Sequence, residues 1–237
     1  MQLESLNSHG AKMDEVYRWT RYVYDWTRPL FLFGRDELVD RLNPPVGGRV
    51  CEMGCGTAHN LIRLARRRPD LRLLGVDASE AMLELAARKI CNLGLEGQIE
   101  LAHGYAESFR PSMPMDAVLF PYSLSMMPAP HSALLNAGSW LSEAGAIHFV
   151  DFGDLAGWPS IPRRMVQRFL NHFAVHPRPA AITEAAEGLK VELEWRYGRY
   201  CFAGVMRRTR PDGLEAHQLG LLQDFELVVC SRPRRNH

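Results

Sequence analysis

A chain of 237 residues with 46% hydrophobic content is long enough to bury one full α/β core plus a modest extension. Its net charge of +1 provides no global attraction to nucleic acid. No apolar run approaches the roughly 20 residues of a membrane span, and no basic-then-apolar leader opens the chain, so a soluble cytoplasmic protein without stable membrane insertion is expected.

The first dozen residues are loose in pattern, and from Met13 to Leu42 the sequence is unusually aromatic, with Tyr17, Trp19, Tyr22, Tyr24, Trp26, Phe31 and Phe33. Helical periodicity runs from Asp14 to Tyr24, and Pro29 forces a break before a second helix near Gly34 to Leu42. Some of these aromatics must be core packing. Others could form a lid that excludes water, and their ring faces attract cations by about 0.5–2 kcal/mol when desolvated. Tyr17, Tyr24 and Trp26 are candidates to line a cationic pocket, and Arg35 is a candidate to hold a carboxylate.

Pro44-Pro45 and Gly47-Gly48 punctuate the entry to a strand at 49–53. That strand ends in Val50-Cys51-Glu52-Met53-Gly54-Cys55-Gly56-Thr57, an apolar run closing on an acid and a Gly-x-Gly turn, with an amphipathic segment directly behind. Such a turn lets backbone pass flush against a nucleoside. The third glycine of a dinucleotide fingerprint is missing, since Asn60 and Leu61 stand near its place. Leu61, Leu64 and Ala65 recur at helical spacing, while Arg63, Arg66, Arg67 and Arg68 form an outer face that reads as solvated.

The run 71–77 reads as a buried parallel strand whose terminal acid, Asp77, can accept from both ribose hydroxyls. Ala78, Ser79 and Met82 open the next helix, where an apolar side chain can pack on a base and Ser79 can cap. Further strands are expected at 98–103, 115–121 and 146–151, and helices at about 57–68, 79–92 and 131–142. Such alternation specifies a parallel sheet with right-handed crossovers. Trp158 to Phe173 reads as a helix, Glu192 to Met206 alternates through aromatic positions, and Phe225 to Ser231 is a short apolar run. The last two signals suit an antiparallel pair at the sheet edge. The fold class is therefore α/β: a Rossmann-like, seven-stranded, mostly parallel sheet with helices on both faces and an N-terminal helical lid.

The motif Glu52, Gly54, Cys55, Gly56, Thr57 with Asp77 resembles the class I S-adenosylmethionine-dependent methyltransferases. The resemblance implies S-adenosyl-L-methionine as cofactor and a division into a lid at 1–44, a cofactor-binding Rossmann-like domain at 45–232 and a basic tail at 233–237. Glu52 would accept from the cofactor ammonium or buttress the turn. Asn60, Ala78, Met82, Ala106 and Glu107 complete the expected cofactor set. Many relatives carry an acid before the alanine in Gly104-Tyr105-Ala106; Tyr105 stands there here, which leaves adenine recognition to the Ala106 backbone and Glu107.

The fourth strand runs into Tyr122-Ser123-Leu124-Ser125-Met126, and Tyr122 and Ser123 are the expected residues at the methyl group. Together with Asp151-Phe152-Gly153-Asp154, His172-x3-His176-Pro177-Arg178, Tyr24-Asp25 and Phe31-x-Phe33-Gly34-Arg35, this stretch is similar to the bacterial betaine-lipid N-methyltransferases over most of residues 13–178. That likeness implies N-methylation of a homoserine-type head group. The long aromatic lid is also similar to methyltransferase-like azetidine-2-carboxylate synthases, which use the 3-amino-3-carboxypropyl arm of the cofactor and release methylthioadenosine. Such a cage would need polar anchors such as Tyr122, Ser123 and Asn171. A small amine, or the cofactor itself, is thus the expected substrate. No strongly basic amphipathic helix for a membrane surface is read from the pattern, the arginines at 61–68 being a weak substitute.

Five cysteines at irregular spacing give no zinc set and fit a reducing compartment, and Cys55 reads as a small turn residue. His172 and His176 lie four apart without a third ligand, so no metal is expected.

Overall fold

A computed structural model describes residues 32–172, 175–177, 179 and 189–208. The expected helix at Asp14 to Tyr24, the candidates Tyr17, Tyr24 and Trp26, the run 225–231 and the basic tail lie outside the described residues.

Seven strands form one sheet in the order β3-β2-β1-β4-β5-β7-β6. They are β1 (Arg49–Met53), β2 (Arg72–Asp77), β3 (Ile99–His103), β4 (Met115–Pro121), β5 (Leu141–Phe152), β6 (Leu189–Arg196) and β7 (Cys201–Arg208). The first five run parallel, β7 is antiparallel to β5, and β6 is antiparallel to β7. The helices are α1 (Arg35–Asp40), α2 (His59–Arg67), α3 (Glu80–Asn92), α4 (Pro130–Ser139) and α5 (Ser160–His172), with a 3-10 turn at Leu124–Met126.

The near-continuous apolar strands are explained by burial on both faces. Cys51, Met53, Val118 and Phe120 point into one core layer with Leu134 and Phe149. Their alternate neighbours Val50, Ala117 and Leu119 point into the other with Leu61 and Leu64 of α2. Strand order reverses between β1 and β4, so the carboxyl ends of these two strands splay a crevice open between their loops.

Three differences from the sequence expectation have local causes. Helix α4 stops at Ser139 because the Arg208 guanidinium donates to the carbonyl oxygens of Gly138 and Ser139, closing the last turn before β5 starts at Leu141. The antiparallel edge pair comes entirely from the stretch read as one alternating run. Tyr197, Gly198 and Arg199 all adopt positive φ and turn the chain back on itself. Asp154 pairs with Arg199, whose guanidinium lies 3.9 Å from the Trp195 ring centroid, and Trp158 Nε1 donates to the Tyr197 carbonyl.

The arginines of α2 are the third difference. Arg63 makes a two-pronged bond to Asp40 (3.0 and 2.6 Å), Arg67 reaches Asp40 and the carbonyls of Val39 and Leu42, and Arg68 pairs with Asp70. Arg63 and Arg67 thus clasp α1 to α2, while Arg66 stays on the exposed face. Exposed pairs of this kind contribute about 0–1 kcal/mol each, so the buried Val39 and Leu42 hold α1 more strongly than the charges do.

Candidate active site

The turn after β1 is pinned from below and from the side. Gly54 and Cys55 both donate to the Val76 carbonyl (2.8 and 3.0 Å), binding the turn to β2. Gly54 has φ +73, and a Cβ there would sit 2.8 Å from the Ser123 Cβ, so only glycine lets the β1 and β4 loops approach this closely. Gly56 donates to Asp77 Oδ2 at 2.7 Å, while Ser79 N donates to Asp77 Oδ1 at 2.9 Å. The aspartate is thus a tie between the β1 turn and the α3 cap. Each carboxylate oxygen has a second acceptor site, so this tie leaves capacity for ribose hydroxyls. Ser79 Oγ accepts from Met82 N, as a helix cap does.

Glu52 is buried at the base of the crevice, and its Oε1 accepts from Asn60 Nδ2 at 2.7 Å. Asn60 Oδ1 and Ser123 Oγ are buried polar atoms without a hydrogen-bond partner among the described residues. Both belong to the wall of the cleft. Such atoms cost on the order of 1–3 kcal/mol when left unmade, so a site that leaves two of them on one wall is shaped for a polar ligand.

At the β3 end, Gly104, Tyr105, Ala106 and Glu107 line the cleft. The Ala106 carbonyl accepts from Asn136 Nδ2 (2.9 Å), and Glu107 Oε1 accepts from Ala129 N (3.3 Å). These bonds fix the loop's course along the pocket.

At the β4 end, Tyr122 is buried with φ +58, and its hydroxyl donates to the Phe33 carbonyl at 2.6 Å. Its ring meets Phe152 edge-on at 4.5 Å. Burial pushes the phenol far above its ordinary pKa, with Cys201, Asp151 and Tyr200 adding to the effect, so it stays protonated. Leu32, Met126 and Met127 complete an apolar wall, and Arg35, itself buried, lines the same cleft.

Burial also raises the Cys55 thiol well above its normal value, with Asp77 and Glu52 adding to it. The thiol is therefore neutral, as a turn residue.

The structure brings Arg35, Glu52, Gly54, Cys55, Gly56, Asn60, Asp77, Ala78, Met82, Ala106, Glu107, Tyr122 and Ser123 to one cleft. It does not bring Thr57 there, which is buried behind the turn, nor Asn171, which is exposed on α5. Sequence reasoning passed over Met126, Met127 and Pro128 as wall residues, although they directly follow Tyr122-Ser123. It noted Asp151 only within the motif Asp151-Phe152-Gly153-Asp154 and gave it no role, although it is an acid near the end of an apolar strand as Glu52 and Asp77 are. Asp151 is fully buried and accepts from Ser125 N (3.0 Å) and Phe152 N (2.7 Å), which anchors the 3-10 turn of the cleft wall. Desolvation raises its carboxyl to about 6 against those bonds.

Residues 50–145 match the family described as Methyltransferase domain. That match spans less than half of the chain, and together with the fold it supports a methyltransferase-type domain with S-adenosylmethionine as cofactor. The demethylmenaquinone methyltransferase of Geobacillus kaustophilus is 30% identical over 127 residues, which is 53% of this chain and 50% of that one. The carboxy-S-adenosyl-L-methionine synthase of Campylobacter jejuni is 46% identical over 52 residues, 22% of each chain. The chain spans half or less of the length of these curated relatives. Among solved structures, the [4+2]-cyclase SpnF superposes with a TM-score of 0.62 at 17% identity, covering 73% of this chain and 80% of that one. The shared fold is the Rossmann-like methyltransferase sheet.

The residues of the cleft fit this cofactor. Asn60 Oδ1, beside the Glu52 carboxylate, offers an acceptor to an ammonium, and the glycine turn offers a surface without side chains to a nucleoside. No helix among the described residues is long and apolar enough to cross a membrane. Also among the described residues, no three His, Cys, Asp or Glu side chains converge into a group that could hold a metal ion.

Proposed function

We propose that the protein methylates the nitrogen of a small amine, with a homoserine-type head group as the acceptor class. One observation carries this reading: the described wall of the cleft holds no group suited to deprotonate an acceptor. It contains no histidine or lysine, burial holds the Cys55 thiol and the Tyr122 phenol protonated, and its second phenol, Tyr105, belongs to the loop after β3. Its three carboxylates, Glu52, Asp77 and Glu107, are tied to Asn60, to Gly56 and Ser79, and to Ala129, and in this reading they serve the cofactor. An alcohol or phenol acceptor would need a base. A neutral amine brings its own lone pair, and alignment in a dry site supplies most of the acceleration.

Bound in the cleft, S-adenosylmethionine supplies a methyl carbon activated by its sulfonium. Glu52 and Asn60 hold the ammonium of its amino acid, and Arg35 holds the carboxylate. Asp77 accepts from the ribose, while Ala78, Met82, Ala106 and Glu107 enclose the adenine. Tyr122, Ser123, Met126 and Met127 keep the reacting end apolar and water-poor, with the Ser123 hydroxyl positioned to orient the acceptor nitrogen. The cofactor would give its methyl group to the amine nitrogen and leave as the thioether, with the amine proton released to solvent. Residues 1–44, with Tyr17 and Tyr24, close the site as a lid in this reading, and Asn171 has no part in it. The free thiols of Cys51, Cys55, Cys91 and Cys201 suit a cytoplasmic setting.

A second reading draws on the similarity to a synthase whose name states that it makes a carboxylated S-adenosylmethionine. The same lack of a base suits attack by the cofactor's own amine on its 3-amino-3-carboxypropyl arm, giving azetidine-2-carboxylate and methylthioadenosine. Mass analysis of the nucleoside product separates the two. S-adenosylhomocysteine formed only with an added amine supports methyl transfer. Methylthioadenosine formed without any acceptor sinks it in favour of ring closure.

A further inference from the structure

Helix α5 bears on the expectation that no strongly basic amphipathic helix suits a membrane surface. Its sequence, Ser-Ile-Pro-Arg-Arg-Met-Val-Gln-Arg-Phe-Leu-Asn-His, carries three arginines and no carboxylate. Two apolar sets share it. Leu170 is buried and Val166 half-buried in the cluster that also holds Tyr122 and Met126 of the cleft wall. The second set points away from that core: Ile161 is 73% exposed, Met165 69% and Phe169 39%.

These three residues follow each other at intervals of four. At about 100° per residue they fall within roughly 80° of one another and form a ridge about 12 Å long. Arg164 and Arg168, both exposed, stand one position before Met165 and Phe169 and so flank the ridge on one side. Scattered single apolar residues on a surface need no explanation, but three in a row beside uniformly positive charge do.

We propose that this outer face of α5 docks the protein on an anionic phospholipid surface. The match is one of charge and shape. The ridge is convex and made of aliphatic, thioether and aromatic tips, which suits the deformable boundary between headgroups and acyl chains. The arginines beside it extend their guanidinium groups to lipid phosphates while their stems lie along apolar surface. No acid on the helix opposes a negative surface potential. Docking through the outer face leaves the inner face packed in the cluster that holds Tyr122 and Met126. The inference concerns this surface and does not depend on which carbon of the cofactor reacts.

The test is co-sedimentation of the full chain with vesicles of phosphatidylcholine, with and without phosphatidylserine. Binding to the phosphatidylserine vesicles, weakening as salt is added, and at least about tenfold weaker binding to neutral ones is the expected result. Ile161→Glu with Met165→Glu should lower the bound fraction at least about tenfold, and Arg164→Gln with Arg168→Gln should remove the preference for anionic lipid. Both variants lie on the exposed face, and unchanged melting temperature and S-adenosylmethionine affinity verify that they fold. Equal binding to both vesicle types, wild-type binding by the glutamate variant, or no vesicle binding at all would overturn the proposal. So would a shift from oligomer to monomer in the glutamate variant without vesicle binding, which would make the ridge a contact between copies of the chain.

Discussion

The hydroxyl of Tyr122 donates to the carbonyl oxygen of Phe33 across 89 residues of sequence, at 2.6 Å. This bond joins the end of β4 to the segment that leads into α1, two residues before Arg35. The tyrosine therefore sets the position of a cleft wall, and its phenol is too firmly protonated to act as a base.

Tyr122→Phe should lower stability by about 1 kcal/mol, the usual worth of one such bond. Turnover should fall by less than about tenfold, since no proton transfer is lost. Urea unfolding and steady-state kinetics on one preparation check both; a loss of several orders of magnitude in kcat at normal stability would restore Tyr122 as a catalytic group.

Gly54→Ala places a Cβ 2.8 Å from Ser123 Cβ at a position of positive φ. The β4 loop must move away, and strain at such a position costs on the order of 1–3 kcal/mol. Calorimetry should show S-adenosylmethionine affinity reduced at least about tenfold with the protein still folded.

Asp77→Ala removes the acceptor of two backbone N–H groups as well as the ribose contact. Cofactor affinity should drop at least about tenfold and stability by about 1–3 kcal/mol. Near-normal affinity in calorimetry would leave Asp77 only its role as a tie between loops.

Asp151 gives a pH signature. Its carboxyl is raised from 3.8 to about 6 in the folded state. Between those values the native protein binds more protons than the unfolded chain, so stability falls as pH rises through this window. The total contribution is roughly 3 kcal/mol. Asp151→Asn cannot titrate, so its stability relative to wild type should improve from pH 4 to pH 7. Denaturant titrations at the two pH values that show parallel behaviour would place the folded pKa elsewhere.

What the sequence made legible follows from local rules. The strands β1 to β4 and the glycine turn were readable because buried parallel strands are short unbroken apolar runs bounded by turn residues, and Glu52 and Asp77 mark two strand tips. Tyr122 and Ser123 were readable as the residues after β4 in a fold whose ligands gather there. The β6–β7 reversal was hidden because a single glycine, Gly198, signals it between Tyr197 and Arg199, which adopt positive φ without being turn residues. The arginine clasp was hidden as well, since pairing between Asp40 and Arg63 depends on how two helices cross. The outer ridge of α5 escaped for a related reason: its apolar residues serve two faces, which blurs the single-stripe pattern. The double duty of Asp77 depends on the spacing of two loops, which no one-dimensional pattern records.

The turn at Tyr197–Arg199 sits at the same end of the sheet as the cleft, where the Phe33 ring meets both Tyr197 and Tyr200. It is braced by Asp154 and Trp158, residues that take no part in the nucleotide half of the pocket. Diversification can therefore act on this hairpin tip as a separable cassette. Exchanging it between relatives would reshape the rim around Phe33 while the glycine turn and the Asp77 tie, which it does not touch, keep their shape.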